Sequence, residues 1–123
     1  MWELLFYAYL ANGTLLIVHE IDSAYWKEWE LFRLPGGPGG FVLMHLPLVL
    51  LILWGAVGVE HHWTAGIVVS FLMAAGGIFA YAIHTWFLRK GRPEFDTSVS
   101  RGILTATLVA SLVQTCAALL VLA

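Results

Sequence analysis

An all-α fold is the architecture this sequence predicts: a bundle of four transmembrane helices, with an interfacial or extended helical segment after the first. Three observations predict it. Sixty per cent of the 123 residues are hydrophobic and only 11% are charged, where a soluble domain carries about 25% charged residues. Four apolar segments stand out, and a spanning helix needs about 20 such residues. All six Lys and Arg residues fall in the first and third connections, which a four-span chain brings to the same side of the membrane.

The first segment covers residues 4–18. It is short for a span unless the helix runs from Trp2 past His19. It has no positive start and no small-x-small site after it, so it reads as a retained helix rather than a cleaved leader. Residues 21–33 follow, helical in composition and rich in interface aromatics. Pro35, Gly36, Gly37 and Pro38 then end any helix. The second segment covers residues 41–59, and Glu60-His61-His62 forms a tight turn. The third covers residues 63–88. A polar loop over 89–101 contains Pro93, and Thr97 or Ser98 is placed to cap the fourth segment, 103–123. Gly66, Ser70 and Ala74, at spacings of four, form a close-packing seam. Thr105, Thr107, Ser111, Gln114 and Thr115 give the fourth segment a mildly polar face and, with Asn12 and Thr14 on the first, are placed for hydrogen bonds between helices. The whole chain reads as a single integral membrane domain.

Charge sets the expected orientation. Lys27 and Arg33 lie in the first connection, and Arg89, Lys90, Arg92 and Arg101 in the third. The positive-inside rule makes that face cytoplasmic and puts both termini outside. The expected location is the cytoplasmic (inner) membrane of a bacterium, crossed several times, with the lipid bilayer as first partner. The net charge of -2 leaves no basic footprint, which excludes nucleic acid as a partner. Cys116 is the only cysteine, so no internal disulfide forms, and it reads as a small packing residue.

Chemistry concentrates at the same face. His19, Glu20 and Asp22 end the first span, His45 lies a turn into the second, and His84 ends the third. Three of five histidines and six of eight acids share that level. If the first helix continues to Phe32, His19, Asp22, Trp26 and Glu30 fall on one narrow face. The pattern points to a metal centre with His19, His45 and His84 as ligands, and Glu20 and Asp22 as acid–base groups. Imidazole and carboxylate together suit a divalent transition metal such as Zn or Fe. No local spacing is diagnostic of a metal motif.

Competing readings attach to the same residues. Trp26, Trp29, Tyr25 and Trp86 form an ordinary aromatic belt, and Glu28 and Glu30 are solvated partners of Lys27 and Arg33. His45 resists that reading, because an ionisable residue inside an apolar run is costly and needs a partner. His45 and His84 as axial ligands of a haem are a less favoured alternative.

The stretch His19-Glu20-Ile21-Asp22-Ser23-Ala24-Tyr25-Trp26-Lys27-Glu28-Trp29-Glu30-Leu31-Phe32, then Leu34-Pro35-Gly36-Gly37 and Met44-His45-Leu46-Pro47, resembles a family of small bacterial integral membrane proteins. The resemblance covers roughly a fifth of the chain. It implies a four-helix topology and carries no activity with it. The first block is also distantly similar to membrane proteins with a His-x-x-Glu-Glu motif, but His19-Glu20-Ile21-Asp22-Ser23 departs from that motif, and no residue role follows.

Two functions are expected. One is a metal or acid–base site at the cytoplasmic interface that acts on a lipid-like substrate. The other is a non-enzymatic accessory subunit, or an oligomeric transport or channel module, with the block as a docking surface. The small bundle leaves broad apolar flanks, which favours a homo-oligomer or a larger membrane complex.

Overall fold

The computed structural model describes residues 1–123. Its helices are α1 (Trp2–Tyr25), α2 (Glu28–Leu31), α3 (Gly37–Glu60), α4 (Thr64–Arg89) and α5 (Ser98–Leu122). All but the one-turn α2 are long and apolar enough to cross a membrane. At about 1.5 Å per residue they are about 36 Å or more in length, enough for a hydrocarbon core of about 30 Å. The first span does run past His19, as its length required.

The helices alternate in direction. α1 and α4 are shared neighbours: α5 packs on both from one side and α3 on both from the other, while α3 and α5 do not touch. α3 is the most apolar of the four and the least buried. It is the helix most given over to lipid. The apolar core forms around Leu5, Tyr9, Leu16, Val59, Val69, Met73, Ala117 and Ala118.

Small residues set the closest approaches. A Cβ on Gly66 would strike the backbone of Gly58 and Val59, so α3 and α4 meet backbone to backbone just beyond their turn. Ser70 and Ala74 continue that seam and are buried. A Cβ on Gly77 would strike Ser111 Oγ, which sets the α4–α5 crossing. Deep in the bundle Asn12 Nδ2 donates to Gln114 Oε1 (2.7 Å) and Ser111 Oγ donates to Asn12 Oδ1 (3.3 Å). With little hydrophobic drive between helices in lipid, such packing and hydrogen bonds fix the partners.

Two expectations are corrected. α1 does not continue to Phe32. It stops at Tyr25, and Lys27 adopts a left-handed conformation (φ 53°) that turns the chain before α2 begins at Glu28. His19, Asp22 and Trp26 keep their common face, but Glu30 leaves it. Cys116 is not a packing residue; it is exposed on the outer side of α5. Thr97 is the residue that caps α5, its Oγ1 accepting from Ser100 N–H (3.0 Å).

Candidate functional site

The helix ends that carry His19, His45 and His84 lie together at the α1–α3 and α4–α5 connections. Each histidine sits inside its span, about one to two turns from that end. His19 and His84 are almost fully buried, and their rings meet edge to face at 5.0 Å.

The turn at Lys27 decides what joins them. By reversing the chain it aims Glu28 back at the bundle, where Glu28 Oε1 lies 3.8 Å from His84 Nε2. One ligand atom each from His19, Glu28 and His84 lies within 4.8 Å of the other two, a spacing on which a metal ion is able to close. A tetrahedral ion with bonds of about 2.1 Å holds its ligand atoms about 3.4 Å apart, so closure asks for a shift on the order of 1 Å.

The unsatisfied atoms point the same way. His19 Nδ1, His84 Nδ1, Glu28 Oε2, Asp22 Oδ2 and Ser23 Oγ are buried without a hydrogen-bond partner. Buried polar groups are almost always paired. Five such atoms gather at this end of the bundle, with the Ser23 hydroxyl close enough to Glu28 to act on its carboxyl, while a sixth, Gln114 Nε2, lies deep among the helices. Burial pushes the Glu28 carboxyl up to about 7, and the negative charge of Glu20 acts in the same direction.

His45 stands beside this group with a different partner. Its Nδ1–H donates to the Phe41 carbonyl (2.7 Å), and its Nε2 lies 2.6 Å from Glu20 Oε2. A carbonyl oxygen only accepts, so the ring's Nδ1 carries hydrogen. The short contact to Glu20 then contains one further proton, carried by the ring or by the carboxyl group. His45 and Glu20 thus form a proton-holding pair. Asp22 lies one turn from His19 on α1, half-buried.

Phe95 closes the loop side. It is fully buried, with its ring 4.0 Å from His84 and 5.7 Å from His19. Its backbone is left-handed (φ 65°), a conformation that costs on the order of 1–3 kcal/mol in a bulky residue. Ion pairs between Arg92 and Glu94 and between Arg101 and Asp96 brace the loop on either side. The Arg92 guanidinium holds the Glu94 carboxyl below its ordinary range. Trp26 Nε1–H donates to Ser100 Oγ (3.3 Å), tying the α1 end to α5.

Of the residues expected from sequence, His19 and His84 come together, and Glu20 joins His45 on the adjoining wall. Glu28 is corrected: its carboxylate faces His84 rather than water, and neither Lys27 nor Arg33 pairs with it. Phe95 was not singled out. Its signal was a lone large apolar residue in a polar loop.

Behind the imidazoles a cavity of about 420 Å³ runs between α1, α3 and α4. His19, Glu20, Glu28, His45 and His84 form its polar end, and Leu16, Ile52, Met73 and Ala80 are among the residues of its apolar body.

Fold and site together define a helical chain of multi-pass membrane type, with a histidine–carboxylate cluster at one end of its bundle. The chain belongs to a family described as one of unknown function, DUF6713, whose model matches residues 5–121. No curated protein and no solved structure matches it.

Proposed function

We propose that this is an integral membrane protein that binds a divalent transition metal, such as Zn or Fe, through His19, His84 and Glu28, beside the His45–Glu20 proton pair. The observation that carries this is the His19–Glu28–His84 group, three donors within 4.8 Å, with a buried, unpartnered atom on each residue. Two imidazoles and a carboxylate leave open positions on an ion, as in sites that carry out chemistry rather than hold structure. His45 and Glu20 would exchange a proton with a molecule at those positions, and Asp22, one turn from His19 on α1, would support that imidazole. The site would act on a lipid-like molecule. The six basic residues favour an inner-membrane orientation with this end cytoplasmic and both termini outside.

Elemental analysis of the purified protein tests the reading. The expected result is about one transition-metal ion per chain, lost in His19→Ala and His84→Ala. Glu28→Gln weakens binding roughly tenfold or more, while His45→Ala retains the ion. Metal-free protein, or variants that bind as well as wild type, would overturn it. A haem would declare itself as a visible absorption band.

A second reading, a non-enzymatic subunit or oligomeric transport module, is favoured by an open groove of about 760 Å³ between α1 and α5. It is lined by small residues such as Ala8, Ala11, Gly102, Ala106 and Ala110. It predicts a metal-free protein and a partner retained through detergent extraction.

A further inference from the structure

The cavity behind the histidines differs at its two ends and along its side. Its polar end holds the five ionisable residues, and its body is almost wholly apolar. On α4 it reaches from Leu72 to His84, about 18 Å at 1.5 Å per residue. One leaflet of a hydrocarbon core of about 30 Å is about 15 Å deep. On α3 it reaches from His45 to Ile52, about 10 Å, so the cavity stays within about one leaflet of its polar end. Its volume of about 420 Å³ lies at the small end of the range for ligand pockets, about 300–1,000 Å³, which favours one hydrocarbon chain over two.

The way in is from the side. Leu48 and Leu51 on α3, and Leu72 and Phe79 on α4, line the cavity and are also exposed on the bundle surface. The gap between α3 and α4 thus opens toward lipid. On the water side Phe95 covers His19 and His84 and is itself fully buried. Phe95 thus shuts the His19–His84 side against a bulky head group, and the remaining partly open part of the polar end is occupied by the His45–Glu20 pair.

We infer that the cavity binds a single-chain amphiphile from the adjoining leaflet, of the fatty acid, alcohol or aldehyde class. Its hydrocarbon chain lies between α3 and α4, and its small oxygen-bearing head lies at the His19–Glu28–His84 group and the His45–Glu20 pair. This rests on the proposed site for the role of the head. The seat for the chain stands on the cavity alone.

Gly76 provides the test. It lines the cavity, and a Cβ added there meets open space, so a large side chain fills the cavity without a backbone clash. The probe is a diazirine-bearing palmitic acid, photolysed in phosphatidylcholine vesicles holding the full-length protein, with adducts mapped by mass spectrometry. Wild-type protein should be labelled on cavity residues of α3 and α4. Gly76→Phe should lower that labelling tenfold or more, and Val49→Phe, a plug from the facing helix, should do the same. Gly102→Phe, which also adds a ring into open space but outside this cavity, should leave it unchanged. Adducts spread over all lipid-facing surfaces, or indifferent to both plugs, would overturn the inference. Metal content measured on the same samples separates the two ideas. Cavity labelling without metal removes the metal reading and keeps the amphiphile; metal without cavity labelling does the reverse.

Discussion

Glu28 is the residue on which the site's charge turns. Burial moves its carboxyl from an ordinary 4.5 up to about 7, so the folded chain favours its protonated form. Below about pH 4.5 both folded and unfolded chains are protonated there, and the group is neutral in its effect. As pH rises from 4.5 toward 7 the unfolded chain ionises more readily, and stability falls, by on the order of 3 kcal/mol once pH exceeds about 7. The expected outcome in metal-free protein is a carboxylic-acid infrared band that disappears near pH 7 and is missing from Glu28→Gln. A bound ion should abolish the band at lower pH, because the metal needs the carboxylate. A band titrating near 4.5 would show that Glu28 is solvated. The sequence made His19, His45 and His84 legible as neighbours, since hydropathy alone fixes their depth. It did not make Glu28 legible, because nothing in Trp26-Lys27-Glu28 announces a left-handed lysine. Phe95 needs a tertiary contact to declare its role.

At the scale of elements, the four spans were readable because twenty apolar residues have few other uses. The break after Tyr25 was not readable, since residues 26–32 are compatible with continued helix. What orders the spans is small residues and a few polar contacts. Gly66 presses on the backbone of Gly58 and Val59, where no side chain is able to yield. Gly66→Leu should therefore force α3 and α4 apart and cost about 1–3 kcal/mol, read as earlier unfolding in a detergent titration. Gly76→Leu, in open space on the same helix, should cost little. Equal effects of the two would mean that the α3–α4 crossing does not depend on that contact. Of the polar residues expected to bond between helices, Asn12, Ser111 and Gln114 do so, whereas Thr14, Thr105, Thr107 and Thr115 each donate to a carbonyl of their own helix.

For the whole molecule, function depends on which way the chain threads the bilayer. Single cysteines placed at Glu30, His61 and Ser98 in a Cys116→Ala background report it. With the proposed orientation, a membrane-impermeant thiol reagent outside intact cells labels His61→Cys alone. Labelling of both Glu30→Cys and Ser98→Cys from outside, with His61→Cys protected, would reverse the orientation, and labelling of only one of those two would break the four-span threading. Helix alternation was legible from the charge asymmetry. Which helices neighbour each other was not, because apolar faces in lipid carry no period that names a partner.

The position of α3 has a mechanical consequence. It is the least buried span and has no contact with α5, so a displacement of its His45 end, away from the close contact at Gly66, would leave the packing of α1, α4 and α5 in place. His19 and His84 belong to the fixed part, on α1 and α4, whereas His45 rides on α3 and is latched to α1 by Glu20. A guest in the proposed seat would bear on α3 before it bore on the other spans. His19 and His84 would hold their places under such a displacement, while Glu28, on the α2 turn that packs against α3, and the proton pair would both register it.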